Sequence, residues 1–125
     1  MKQEWITALR SGEYKQTTDT LRDDKGFCCL GVLCDLVDPS GWDGEWYDGS
    51  FATPPKALIK KLGFQPNVDI PVEAENGGFY IPAIDTTVEA DRLDTTHNGK
   101  LISIAGLNDR GLSFDKIADL LEIYL

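Results

Sequence analysis

The sequence predicts an α+β fold, a single domain spanning residues 1–125 in which a small antiparallel sheet packs around a buried central helix at about 28–37, with a helix near each end of the chain. Three observations carry this. The longest apolar run, Phe27-Cys28-Cys29-Leu30-Gly31-Val32-Leu33-Cys34-Asp35-Leu36-Val37, sits early in the chain. Helical stripes with recognisable caps lie at both ends. Between them are short alternating segments broken by glycine and proline, the pattern of hairpin strands.

The first helix follows from Trp5, Ile6 and Leu9, which share one face, with Arg10 near its end and Gly12 suited to the left-handed position after it. A connecting segment from Glu13 to Thr20 carries Tyr14, Lys15 and Gln16. Leu21-Arg22 and Phe27-Cys28 then flank Asp23-Asp24-Lys25-Gly26, whose turn chemistry predicts a tight hairpin leading into the apolar run. In that run Leu30, Leu33, Cys34 and Val37 fall at i, i+3, i+4 and i+7, while Cys29, Val32 and Leu36 cover the other side. A helix apolar nearly all round is a buried one. It is too short to cross a bilayer, which takes about 20 residues.

Asp38-Pro39-Ser40-Gly41 ends the helix, and a Trp-rich region follows with Trp42, Trp46, Tyr47 and Phe51, punctuated by Asp43-Gly44 and Asp48-Gly49. These residues predict short strands and turns. Thr53-Pro54-Pro55 starts a further helix with Ala57, Leu58, Ile59 and Leu62 as its apolar face and Gly63 as its stop. Val68–Val72 and Phe79–Ile84, separated by Asn76-Gly77-Gly78, read as paired hairpin strands, kept short or at an edge by the prolines at 66, 71 and 82. Leu101–Leu107 is ambiguous; a helix capped by Ser103 and ended by Gly111 is preferred over a strand. For the last helix, Leu112, Ser113 and Ile117 form a hydrophobic staple around an N-cap, and Phe114, Ile117, Ala118, Leu121 and Leu125 form the inner stripe.

Twelve basic against 21 acidic residues give a net charge of −9. No Lys or Arg lies between Lys25 and Lys56, where Asp35, Asp38, Asp43, Glu45 and Asp48 fall, nor between Lys61 and Arg92. Such a surface repels phosphate backbones and anionic lipid, so direct binding to nucleic acid or membrane is not expected. The start of the chain has no secretory h-region, and three cysteines confined to one core segment are not a disulfide framework, so free thiols in the cytoplasm are expected.

Few residues stand out chemically. Cys29, at a helix start, is a candidate nucleophile if His97, the single histidine, serves as its base. Cys28, Cys29, Cys34 and His97 lack zinc-ligand spacing, and neither a calcium loop nor a phosphate-binding glycine loop is present, so no metal or cofactor is expected. Arg10, Ser11, Tyr14, Lys15 and Gln16 bunch after the first helix, and Asn108, Asp109 and Arg110 occupy the turn before the last. Each group reads either as turn and cap chemistry or as a ligand pocket in which Arg10, Lys15 and Arg110 meet a phosphate or carboxylate. Trp42, Trp46 and Tyr47, with Asp43 and Glu45, read either as core cover or as a partner-binding patch, and the aromatic residues also suit a homo-oligomer interface.

Trp5…Ala8-Leu9-Arg10-Ser11-Gly12-x-Tyr14-x-Gln16, Phe27-Cys28-Cys29-Leu30-Gly31-Val32-Leu33-Cys34-Asp35-Leu36 and Leu107-Asn108-Asp109-x-Gly111-x-Ser113-Phe114-x-x-Ile117-Ala118 together resemble a small protein family of tailed bacteriophages and prophages. The resemblance covers a little over half the chain and leaves out the region from about 65 to 100. It implies a phage origin and a place in the cytoplasm of the infected bacterial host. That niche suggests a phage anti-defence binding protein that sequesters a nucleotide-derived immune signal without catalysis. Arg10, Lys15 and Arg110 would then meet charged groups, and Tyr14, Gln16, Asn108 and Asp109 would orient the ligand. The alternatives are an acidic inhibitor docking on a host defence or nucleic-acid-binding protein, and a thiol-dependent hydrolase using Cys29 and His97.

Overall fold

The computed structural model describes residues 1–63, 69–75, 77–89 and 100–125. Within these the chain forms helices α1 (Lys2–Arg10), α2 (Cys29–Val37), α3 (Lys56–Lys61), α4 (Ile104–Asp109) and α5 (Phe114–Tyr124). The strands are β1 (Trp42–Asp43), β2 (Trp46–Tyr47), β3 (Asp69–Pro71), β4 (Glu73–Glu75), β5 (Gly78–Ile81), β6 (Thr86–Glu89) and β7 (Leu101–Ser103). They pair antiparallel as β1-β2, β3-β7 and β4-β5-β6. The fold is α+β.

Helix α2 is the centre, as its apolar sequence requires. Cys29, Val32, Leu33 and Cys34 are wholly buried. Helix α1 lies against both α2 and α5, burying Trp5, Ile6 and Leu9, and the Trp5 indole Nε1 donates to the Cys29 carbonyl at 2.9 Å. One core runs from Trp5 through α2, Phe79, Ile81 and Ile102 to Leu121. A second, smaller cluster of Leu21, Cys28, Cys34 and Tyr47 lies on the other side of α2.

The close approach of the 21–27 turn to α2 depends on Gly31. A Cβ there would run into the Leu21 carbonyl oxygen, so glycine is the residue that lets this turn sit on the helix. The turn is the predicted hairpin in minimal form. Arg22 and Phe27 make an isolated antiparallel bridge, and Asp23 Oδ1 accepts the Lys25 and Gly26 N–H groups.

Two strand expectations are corrected. The segment at 69–71 does not pair with 79–84. It pairs with β7, Ile70 opposite Ile102, and the Val72 N–H extends this pairing to the Lys100 carbonyl. The partner of β5 is β4, with Ala74 opposite Phe79. Pro82 then ends β5 and opens a 3-10 turn at Pro82–Ile84. The ambiguity at 101–107 resolves into both states: Leu101–Ser103 is strand, and Ser103 Oγ accepts the Gly106 N–H at 3.1 Å to start α4. In α3 Ile59 is buried but Ala57 is exposed, so its inner face is narrower than the spacing predicted. In α5 Leu120 joins the predicted stripe as a fully buried residue. Val68, Asn76 and His97, with the rest of 64–68 and 90–99, lie outside the described residues.

Candidate functional site

The turn between α4 and α5 faces strand β6 across a cleft. Gly111, at φ +88°, reverses the chain after α4, Leu112 is buried, and Ser113 Oγ accepts the Lys116 N–H to open α5. The cleft has a volume of about 530 Å³ and is lined on one side by Thr86, Thr87 and Glu89, and on the other by Arg110, Ser113 and Lys116. That volume lies within the range of small-molecule sites. Lys116 Nζ reaches across it to Thr86 Oγ1 at 3.1 Å, and Arg110 Nη1 is steadied on the Gly106 carbonyl at 2.9 Å. Two cations therefore flank the opening of an eleven-residue helix, opposed within the cleft by the Glu89 carboxylate. The helix dipole adds to their positive potential.

Of the residues predicted to bind a ligand, Arg110 lines this cleft, and the others go elsewhere. Arg10 pairs with Asp119 at 2.6 Å and Glu122 at 2.5 Å, about two-thirds shielded by the α1–α5 contact it fastens. These carboxylates hold the guanidinium charged well above its ordinary range, and Arg10 in turn lowers the Glu122 carboxyl. Ser11 Oγ donates to the Ala8 carbonyl and accepts the Glu13 N–H, closing α1. Tyr14 donates to Asp35 Oδ2 at 2.7 Å; burial, with this bond to a carboxylate, pushes its phenol up to about 12. Lys15 is exposed, its carbonyl held by the Phe27 N–H. Asp109 Oδ1 accepts the Asp19 N–H at 2.8 Å, fixing a residue whose φ is +66°. The expected meeting of Arg10, Lys15 and Arg110 is thus replaced by Arg110 with Lys116.

Gln16 and Asn108 do come together, in a buried network. Asn108 is 0% exposed. Its side-chain carbonyl accepts from Gln16 Nε2 at 2.9 Å and from the Cys29 N–H at 3.1 Å, and its Nδ2 donates to the Thr17 carbonyl at 2.8 Å. Gln16 Nε2 also donates to the Leu112 carbonyl at 2.7 Å. This network anchors the base of the turn whose outer side carries Arg110. Lys116, Thr86, Thr87 and Ser113 had no place among the predicted site residues, since Lys116 reads as an exposed helix position and Ser113 as a cap. The available signal was the placement of Arg110 and Lys116 around a helix N-terminus, where the dipole favours acidic side chains.

The predicted partner patch divides between two faces. In the β1-β2 hairpin Trp42 opposes Tyr47 and Asp43 opposes Trp46. Tyr47 is buried and Trp42 half-buried, part of an edge-to-face series from Tyr14 through Phe27 and Trp42 to Tyr47 with centroids 5.0 to 5.9 Å apart. Trp42 Nε1 also donates to Asp35 Oδ1 at 3.1 Å. These two rings are core cover. Asp43, Glu45 and Trp46 are exposed.

The whole chain, residues 1–125, matches the model of the family described as a domain of unknown function, DUF8296. The chain belongs to the DUF8296 family. No curated protein and no solved structure matches it.

In this DUF8296 chain the cysteines are set up as core residues. A helix start favours a thiolate, but Cys29 is wholly buried and desolvation pushes its thiol well above the ordinary value. Burial likewise pushes Cys28 up to about 11 and Cys34 up to about 12. Cys28 Sγ is occupied as the N-cap acceptor of the Gly31 N–H at 3.3 Å. A thiol-dependent hydrolase using Cys29 needs an accessible thiolate, and its proposed base His97 lies outside the described residues. Among the described residues no group of three His, Cys, Asp or Glu side chains is placed to hold a metal ion, and no helix is long and apolar enough to cross a membrane.

Proposed function

We propose that this protein is a binding protein that captures a small anionic, nucleotide-type ligand in the cleft between β6 and the α4–α5 turn. The observation that carries the reading is the convergence of Arg110 and Lys116 on one cleft in a chain of net charge −9. In a chain of net negative charge these two side chains make a local positive site toward which a phosphate or carboxylate is steered. Arg110 and Lys116 would meet the charged group, with the Thr87 and Ser113 hydroxyls as further polar contacts. Arg10 has no part in this reading, since its guanidinium closes α1 on α5. The resemblance to phage proteins supplies the setting: sequestration of a nucleotide-derived immune signal, without catalysis, in the cytoplasm of the infected host.

The test is a thermal-shift screen against cyclic dinucleotides, cyclic ADP-ribose isomers, ADP-ribose conjugates and NAD, followed by calorimetry. A ligand at 100 times its Kd stabilises by about 2.7 kcal/mol. The expected result is a shift with one compound, recoverable intact after heating, that Arg110→Ala or Lys116→Ala abolishes and Arg10→Ala does not. An altered compound would instead identify an enzyme, and no shift with any of them would overturn the reading.

A further inference from the structure

The outer face of the β1-β2 hairpin carries an aromatic pair that the core does not use. Gly44, at φ +59°, makes the first turn, and Asp48 and Gly49, at φ +45° and +83°, make a second, with Tyr47 and Ser50 exchanging both backbone bonds at 2.8 Å. Two consecutive positive-φ residues are the mark of a type I′ turn, which asparagine or aspartate followed by glycine favours. Its register sets Phe51 beside Trp46, with ring centroids 5.0 Å apart. Trp46 is 51% and Phe51 37% exposed, so each ring presents part of its surface to water. Asp43, opposite Trp46 in the hairpin register, and Glu45 and Asp48 in the two turns are all exposed.

The hairpin already shows how an arginine sits on it. The Arg22 guanidinium lies 4.4 Å over the Trp42 ring and donates to the Gly44 carbonyl at 2.5 Å. That arginine covers the inner tryptophan. The outer one, Trp46, offers a similar ring on a hairpin whose strand and turns carry Asp43, Glu45 and Asp48. We propose that the Trp46–Phe51 face, with Asp43, Glu45 and Asp48 on the same strand and turns, is a docking surface for an arginine-bearing basic segment of a partner protein. Stacking of guanidinium on indole supplies the contact, and the three carboxylates select the charge. A second copy of this chain does not suit the face, because a symmetric contact would set the three carboxylates against their own counterparts. Nucleic acid is repelled for the same reason. This surface and the β6 cleft are independent of each other.

The probe is a fluorescein-labelled peptide of alternating arginine and alanine, compared with lysine–alanine and glutamate–alanine peptides of the same length. Anisotropy measures affinity, and tryptophan emission reports the exposed ring. The arginine peptide binds more tightly than the lysine peptide, and the glutamate peptide does not bind. Trp46→Ala, and separately Asp43→Asn with Glu45→Gln and Asp48→Asn, each weaken binding by about tenfold without changing the melting temperature. Equal binding to Trp46→Ala would show bulk charge attraction alone and overturn the proposal. So would absence of binding, or self-association in sedimentation that Trp46→Ala abolishes.

Discussion

The side-chain carbonyl of Asn108, on α4, accepts the backbone N–H of Cys29, the first residue of α2, at 3.1 Å. A helix start leaves backbone N–H groups without intrahelical partners. Here a residue from the far end of the chain satisfies one of them, while Cys28 Sγ takes the Gly31 N–H two residues on. The same amide holds Gln16 and the Thr17 carbonyl, so one buried side chain joins the central helix, the connecting segment and the turn that carries Arg110.

Asn108→Ala therefore leaves the Cys29 N–H, the Thr17 carbonyl and part of the Gln16 amide without their partner. A buried polar group left without its partner costs about 1–3 kcal/mol, and the three share one cavity, so a loss of about 2–4 kcal/mol is expected. Urea unfolding at neutral pH measures it. A loss below about 1 kcal/mol would mean that water or Gln16 replaces the lost bonds, and that Asn108 is not the anchor of the turn.

Gly31→Ala separates helix propensity from packing. Alanine is favoured over glycine within a helix by about 1 kcal/mol. At this position its Cβ would occupy the space of the Leu21 carbonyl oxygen, a backbone atom that cannot turn aside. Overpacking of this kind costs about 1–3 kcal/mol. The clash wins, and the melting temperature falls. A rise in melting temperature would show that the 21–27 turn can lift off α2 without loss.

These residues also show what the sequence made legible. Local signals transferred well: the apolar run became α2 with Cys28 as its cap, Ser103 and Ser113 capped their helices, and Gly12, Gly63 and Gly111 took positive φ where helices stop. Partners distant in sequence did not. Ile70 pairs with Ile102 across most of the sheet region, and no turn signal links the two. The candidate site divided along the same line. Arg110 was visible because it sits in a polar turn, whereas Thr86 and Lys116 belong to the cleft through tertiary contact. Arg10 misled for a related reason: a lone arginine at a helix end looks available until Asp119 and Glu122, on the opposite terminal helix, are brought against it.

The thiols give the fold a defined response to alkaline pH. Cys28 and Cys34 have folded-state pKa values raised from 9.0 to about 11 and about 12 by burial, and Tyr47 is raised from 10.0 to about 12 for the same leading reason. Below pH about 9 these groups are protonated in both folded and unfolded chains, so their contribution to stability is fully present. As pH rises toward 11 and 12 the unfolded chain releases protons that the folded chain retains, and stability falls by about 1.4 kcal/mol per pH unit for each thiol involved. The urea midpoint should therefore hold steady to pH about 9 and decline above it. Replacing Cys28, Cys29 and Cys34 with alanine should flatten most of that decline, which separates the thiols from lysine titration in the same range. The same burial predicts that iodoacetamide alkylates the native thiols slowly at pH about 8 and rapidly once urea unfolds the chain. Fast alkylation of Cys29 in the native protein, with a midpoint indifferent to pH between about 9 and 11, would show an accessible thiolate and restore it as a nucleophile.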